Sequence, residues 1–375
     1  MRVFLLHSRN LRTLRTLRNL RTFDSVGIIA CVAYVKIVLI GNGVVQIGKT
    51  IADVGEFGLI QSITHDLIYR PELVKLGAGD DGAVYTVPTG YDQVISTDTM
   101  VEGIHFLEKT MHPYDVGYKL CASNFSDMAA MGAEPIGFVI SAALPASLSC
   151  DWVELCYMGI RHCCEEYRVN LLGGDVTGSP KGIILTGTVV GMVPEDQAVK
   201  RSGAKVGDLV FVTGTIGDSA AGLAALMKGN AREYPLLVSH HRRPKPQIAL
   251  GTLLREAGAS SLNDISDGLS REANEIAKAS GVVLEIVEDK IPLFLETKWL
   301  GKELRKNPYL WAWHGGEDYQ LVGTISLENY EKVRDNKDIT LIGQVVEASD
   351  TPGVYAVSHG KKVKVAAHGY DHFNK

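Results

Sequence analysis

The chain has 375 residues, 46% of them hydrophobic and 22% charged, with a formal net charge of −5. That is enough chain for two domains with cores of their own, and the composition excludes a low-complexity or disordered body. The charge is uneven: residues 1–54 hold six Arg and two Lys against Asp24 and Asp53, a net +6, so the remaining 321 residues carry −11. An acidic body argues against nucleic acid as the partner and suits a site that gathers cations. The six cysteines, at 31, 121, 150, 156, 163 and 164, form no C-x-x-C pair. They therefore carry no zinc or dithiol signature and read as reduced thiols of a cytoplasmic protein.

In chain order, the first feature is the cationic repeat LRTLRTLRNLRT at Leu11–Thr22. Its three-residue period does not hold one helical face. Val26–Ile40 follows, apolar except for Lys36. At about 15 residues it is short of the roughly 20 a membrane-spanning helix needs, so no membrane is expected as a partner. A positive start before an apolar run resembles a signal peptide, but no clean A-x-A site follows. Residues 1–54 are read as an extension upstream of the domain, from a start assigned too early. The string Gly43-Val-Val-Gln-Ile-Gly48-Lys49-Thr50 fits the phosphate-loop pattern G-x-x-x-x-G-K-T,. Bulky, β-branched residues at its variable positions resist the turns that such a loop needs. Gly77-Ala-Gly79-Asp80-Asp81-Gly82 is a literal G-x-G-x-x-G, yet two adjacent carboxylates would repel a pyrophosphate, and a metal loop is the better reading.

From Ala83 onward the patterns alternate. AVYTVP and QVISTD read as strands, Pro113–Met131 as a helix, IGFVISAALP as a strand and Trp152–Tyr167 as a helix,. VNLLGG and GIILTGTVVGMV are strands again, giving two β–α–β units with a mixed sheet and helices on one face. A second block begins near Gly207: strand DLVFVTG, helix Asp218–Met227, helix Ile248–Ala257, loop LNDISDG, helix Leu269–Ser280 and strand VVLEIV. Strands around Tyr319–Ile325 and Leu341–Val346 close it. The basic run His240–Lys245 reads as a solvated loop. The expected division is an N-terminal metal- and ATP-binding domain over 55–200 and a C-terminal α/β domain over 201–375, with the boundary near Pro194–Gly207.

Seven aspartates stand out: Asp80, Asp81, Asp98, Asp127, Asp175, Asp264 and Asp267, each beside Gly, Ser, Thr or Asn. Small neighbours let a ligand come close. Hard carboxylate oxygens suit Mg²⁺, which is usually shared between one or two carboxylates and substrate phosphates. Asn124 and Asp127, three apart on a helix, share a face. Gly173-Gly174-Asp175 follows an apolar strand, where α/β folds carry ligand loops. Asp267 or Ser266 could equally be a helix N-cap. Two glycines before Glu317-Asp318 allow close approach of a ligand or simply make a turn. Arg201 could meet a phosphate, and His105 lies close in sequence to two acidic loops.

These strings resemble the thiamine-monophosphate kinase family of the aminoimidazole ribonucleotide synthetase-like superfamily. The likeness is carried by EFGLI, GAGDDGA, STDTMVEGIHF, NFSDMAAMGAEP, LLGGDVT, RSGAKVGDLVFVTGTIGDSAAGL, NDISDGL, GGEDYQL, IGQV and GYDHF, from about Gly55 to Phe373. It implies an α/β (α+β) chain of two domains, with an N-terminal ferredoxin-like mixed sheet that forms the barrel of a homodimer. It also implies transfer of the γ-phosphoryl group of ATP to thiamine monophosphate, giving thiamine diphosphate. By the same resemblance Asp81, Asp98, Asp127, Asp175 and Asp264 would hold several Mg²⁺ ions, assisted by Ser96 and Thr97, with Asp267 on a further metal. Gly174, Arg201, Ser266 and Tyr157 would contact ATP, and His105, Glu317 and Tyr370 the thiamine monophosphate.

Such a reaction needs no strong general base, because the acceptor phosphate has a second pKa of about 6 and is largely ionised at neutral pH. Its obstacle is repulsion between two anions, which positioning and charge neutralisation overcome; Asp81 and Asp127 would act through the metal. A selenophosphate synthetase needs a reactive Cys or selenocysteine near its start, and a hydrogenase-maturation factor a Cys in its tail. Apart from Cys31 this chain has neither. Two rivals come from different classes of protein: a phosphate-loop GTPase-like module and a non-catalytic metabolite-binding protein.

Overall fold

The computed structural model describes residues 48–368, together with the backbone of 28–32, 35–40 and 43–46. Tyr370 and the Leu11–Thr22 repeat lie outside the described residues. Strands β1 (Ile28–Val32), β2 (Val35–Ile40) and β3 (Gly43–Gln46) form an antiparallel sheet, with Gln46 opposite Ile37. The Gly43–Thr50 string does not form a phosphate loop, in keeping with the unsuitable residues at its variable positions. Its first four residues are a paired strand, as their β-branched side chains favour. Thr50 caps helix α1 (Ile51–Ile63) in a reciprocal box with Asp53,, and the Ile51 amide bonds the Leu148 carbonyl at 3.0 Å.

Short strands β4 (Val74–Leu76) and β5 (Val84–Tyr85) flank the GAGDDGA loop. Then come β6 (Tyr91–Val101), α2 (Pro113–Ala130), β7 (Glu134–Leu144), α3 (Cys150–Tyr167), β8 (Asn170–Gly178) and β9 (Ile184–Pro194). The sheet order is β6-β9-β7-β8. β7 and β8, joined through α3, run parallel, as a helical crossover allows; the other pairs are antiparallel. The expected mixed sheet is therefore present. Its two faces differ. Along β6, Ser96, Asp98 and Met100 turn towards α2, while Ile95, Thr97 and Thr99 are exposed on the other side,.

Two glycines set how closely the helices cover the inner face. A Cβ at Gly117 of α2 would lie 1.9 Å from the Cys156 carbonyl, and one at Gly159 of α3 would lie 1.9 Å from the Tyr114 carbonyl. The helices touch backbone to backbone, and no larger residue fits at either point. α2 is buried almost all round, as expected of a helix with neighbours on every side. It packs on α3 and its own sheet, and also on the second half of the molecule.

That half contains β10 (Leu209–Thr213), α4 (Asp218–Lys228), α5 (Pro235–Arg242), α6 (Ile248–Ala257), β11 (Ser261–Asp264), α7 (Leu269–Ser280), β12 (Val282–Val287), α8 (Leu295–Leu304) and α9 (Tyr309–His314). It ends with β13 (Leu321–Ile325), α10 (Leu327–Tyr330), β14 (Ile339–Ala348), β15 (Gly353–Ser358) and β16 (Lys361–Val365). Seven strands lie in the order β11-β13-β10-β14-β12-β15-β16, antiparallel except for β12 with β15. One core lies between α7 and this sheet, and a second joins α6 and the sheet to Ala129 and Ala130 of α2. The basic run is not the solvated loop expected from sequence. His240, His241 and Arg242 form the last turn of α5, and His241 is 2% exposed. Arg242 donates to the Thr110 carbonyl at 2.6 Å, and Arg243 pairs with Asp115 at 3.3 Å.

Candidate active site at the junction of the two sheets

The inner face of β6, the buried helix α2 and the turn after β11 meet at one place. Period-two alternation puts Ser96 and Asp98 on the same side of β6. The three-residue spacing on α2 turns Asn124 and Asp127 towards them. The Asn124 side-chain oxygen accepts from the Asp98 amide at 3.1 Å, and Ser96 Oγ donates to Asp127 Oδ2 at 2.5 Å. From the other half, Asp264 at the end of β11 is 4% exposed and accepts a hydrogen bond from Ser126 Oγ at 2.8 Å. It is thus a buried strand end, not part of a surface loop. Gly268 occupies the N-cap position of α7, so neither Ser266 nor Asp267 stands there, and the Asp267 carboxylate pairs with Arg271 of α7 at 3.3 Å.

The acids brought together repel one another. Burial, reinforced by Asp127 and then Asp267, lifts Asp98 to about 6. Burial and the neighbouring Asp264 lift Asp127 to about 7, against the pull of Ser96 and Arg201. Burial and Glu272 lift Asp264 to about 7. Glu272 itself, which sequence reading missed, is lifted to about 7 by burial and Asp267. Arg201 Nε donates to Asn263 Oδ1 at 3.0 Å, and Asn263 Nδ2 to Glu272 Oε2 at 2.6 Å. This cation sits at the edge of the cluster without cancelling it. Among the described residues, no group of three or more His, Cys, Asp or Glu is set to hold a metal ion alone. A hard, oxygen-only donor set with excess negative charge nonetheless fits Mg²⁺, whose shell is usually completed by water and substrate phosphates.

A cavity of about 390 Å³ opens beside the cluster. Asp98, Asp127, Ser266, Asp267, His105 and Glu317 all line it, so six of the expected residues share one cleft. Met100, Ile104, Phe106, Leu107 and Leu223 give it an apolar wall, and Thr110, Ser123, Ser219 and His241 add polar groups. His105 is held by its Nδ1, which accepts from the Val101 amide at 3.0 Å. Glu317 has a left-handed backbone, φ 69°, as does Tyr319 at 50°. For residues with a Cβ this conformation costs on the order of 1–3 kcal/mol and recurs at functional sites. Asp318, between them, turns inward and accepts from the Gly217 and Ser219 amides at 2.6 and 3.0 Å, fixing the start of α4. Burial and Asp218 lift it to about 8.

Other expected residues lie apart from the cavity lining. Asp80 and Asp81 are exposed on the β4–β5 loop, where the Asp80 carboxylate accepts from the Asp81 amide at 2.9 Å. The Thr97 side chain turns to the opposite face of β6 and donates to the Gly187 carbonyl at 2.7 Å. Gly174 and Asp175 are exposed on β8, where a Cβ at Gly174 would meet the Ile140 carbonyl at 2.1 Å. Tyr157 is 8% exposed within the core around α3. Sequence reading missed Lys119 and His241, which bear on Glu317 from α2 and α5.

The fold and the acid-lined cleft define the class. Residues 79–193 match the family described as AIR synthase related protein, N-terminal domain, and residues 205–350 match its C-terminal domain. The chain is 38% identical to thiamine-monophosphate kinase of Bacillus subtilis (strain 168) over 328 residues, covering 85% of this chain and 99% of that one. The crystal structure of thiamine-monophosphate kinase from Stenotrophomonas maltophilia K279a superposes with a TM-score of 0.70 at 31% identity, over 83% of this chain and 98% of the other. AaThiL complexed with AMPPCP and TMP gives 0.69 at 35% identity, over 87% and 100%. The chain belongs to the thiamine-monophosphate kinase family and is a phosphotransferase.

Proposed function

We propose that this protein transfers the γ-phosphoryl group of ATP directly and in line to thiamine monophosphate, giving thiamine diphosphate and ADP, with Mg²⁺ as cofactor. The observation that carries this reading is the group Asp98, Asp127 and Asp264. These acids come from both halves of the chain, are lifted by burial and mutual repulsion, and lie beside a cleft that also has an apolar wall. A relative with TM-score 0.69 is complexed with AMPPCP and TMP, which supports both substrates.

Asp98, Asp127, Asp264 and Asp267 would hold Mg²⁺, helped by Ser96, and Asp81, Asp175 and Thr97 are assigned to the same task from the family pattern. When bound, the ions would screen the repulsion between the two phosphate groups. Arg201, oriented by Asn263, is assigned to ATP together with Gly174, Ser266 and Tyr157. The apolar wall suits the heteroaromatic body of thiamine, with His105 and Glu317 as its polar contacts and Tyr370 as a third. Closing such a site around two anions catalyses by position and charge, without a general base.

Residues 55–200 would form the metal- and ATP-binding domain and 201–375 the domain that completes the site. The uncovered face of the N-terminal sheet, with Ile95 71% and Val139 39% exposed, supports a homodimer built there as a barrel. The five cysteines of the fully described residues are free and buried, which suits a reducing, cytoplasmic setting. Among the described residues no helix is long and apolar enough to cross a membrane.

The test is ATP turnover by the purified full chain across a panel of phosphorylated vitamins and nucleotide precursors. ADP and thiamine diphosphate should form with thiamine monophosphate and Mg²⁺ together. Turnover of another acceptor in preference, or of none, would defeat the proposal.

A further inference from the structure

Lys119 of α2 is among the largest fully buried side chains of the described residues, at 0% exposure. Nothing in the metal cluster accounts for it. Its Nζ lies 2.7 Å from Glu317 Oε2, and it has no hydrogen-bond partner beyond that ion pair. Burying an ammonium is unfavourable unless an opposite charge is fixed beside it. Burial works to strip the lysine of its proton, and Glu317 works to keep it. His241 Nδ1 approaches the same Glu317 oxygen at 3.6 Å and Ser219 Oγ at 3.1 Å. Burial and the Lys119 charge hold that imidazole well below its usual range, so Lys119 is the cation that answers Glu317. The pair spans the two halves of the molecule, and Glu317 reaches the cavity wall on a backbone of φ 69°. Oε2 is thus drawn to Lys119 while the residue itself lines the cavity.

We propose that Lys119 is a positioning residue for substrate recognition. It ties back one oxygen of Glu317 and cancels its charge, so that the second oxygen acts as a fixed hydrogen-bond acceptor for a donor group on the heteroaromatic substrate. On this account Glu317 is a directional contact and not a general attractor of cations. The proposal rests on thiamine monophosphate being the acceptor, and concerns only how it is held.

The test is steady-state kinetics of Lys119→Met, which nearly keeps the volume of the side chain and removes the charge. KM for thiamine monophosphate should rise at least tenfold while KM for ATP stays within twofold of the unsubstituted protein. An unchanged KM for thiamine monophosphate would overturn the proposal, and so would an equal rise in both constants. If Lys119→Met does not fold, Lys119→Arg is measured the same way. It keeps the charge but moves the carboxylate, and must still raise KM for thiamine monophosphate alone. The unsubstituted protein is assayed first. If it makes no thiamine diphosphate, the assigned reaction fails; if it does, the variants judge Lys119 by themselves.

Discussion

Ser126 of α2 donates a hydrogen bond of 2.8 Å to Asp264 at the end of β11, and both residues are buried. One short contact thus joins the helix that carries Asp127 to the strand that carries Asp264. It also opposes the burial and repulsion that lift Asp264. Ser126→Ala leaves a buried acceptor unsatisfied, at a cost of about 1–3 kcal/mol. Denaturant unfolding should show that loss. The Mg²⁺ concentration for half-maximal activity should also rise, because Asp264 keeps its proton to higher pH.

Asp127→Asn should reduce turnover at least a hundredfold at ordinary Mg²⁺ while the fold survives. The amide keeps the shape and can still accept from Ser96, but it removes a charge that Asp264 repels. Without Mg²⁺ the melting temperature should therefore stay level or rise. Near-normal activity with intact folding would remove Asp127 from the metal site.

Stability should depend on pH in a way that Mg²⁺ reverses. Asp98, Asp127 and Asp264 titrate near 6 to 7 in the folded chain but near 4 when unfolded. Between those values the folded state binds more protons than the unfolded one. Their contribution is greatest below about pH 4 and is lost as pH rises through 6 to 7. Metal-free protein should lose melting temperature from pH 5 to pH 8 beyond what an Asp98→Asn/Asp127→Asn double variant loses. Saturating Mg²⁺ should abolish the difference, since the ion binds the deprotonated acids.

Gly117→Ala tests the helix contact behind the site. Its Cβ would sit 1.9 Å from the Cys156 carbonyl, so α2 and α3 must separate. Overpacking of this kind costs about 1–3 kcal/mol, and more when backbone has to move. Thermal unfolding should detect it.

Much of the site was legible because its signals are local. Alternation along β6 puts Ser96 and Asp98 on one face, and the spacing Asn124–Asp127 puts both on one side of α2. The β–α–β alternation likewise led to the mixed sheet. What escaped depends on pairings between distant segments. Lys119 meets Glu317 across nearly two hundred residues, and no local pattern marks either as a partner. His241 sits in a run of basic residues that normally reads as solvated, yet α5 turns it inward onto Ser219. Glu272 lies in the first turn of α7, where an acid is expected for the helix dipole alone. Its role emerges only once Asn263 is seen beside it.

The most direct test of the account is the location of the ions. Crystals grown with Mn²⁺, a non-hydrolysable ATP analogue and thiamine monophosphate would show metal by anomalous scattering, since Mn²⁺ accepts the same oxygen ligands. Peaks are expected bonded to the carboxylates of Asp98, Asp127, Asp264 and Asp267, with phosphate oxygens of the bound substrates completing their shells. Peaks only elsewhere, or substrates bound with no metal among these four acids, would contradict it.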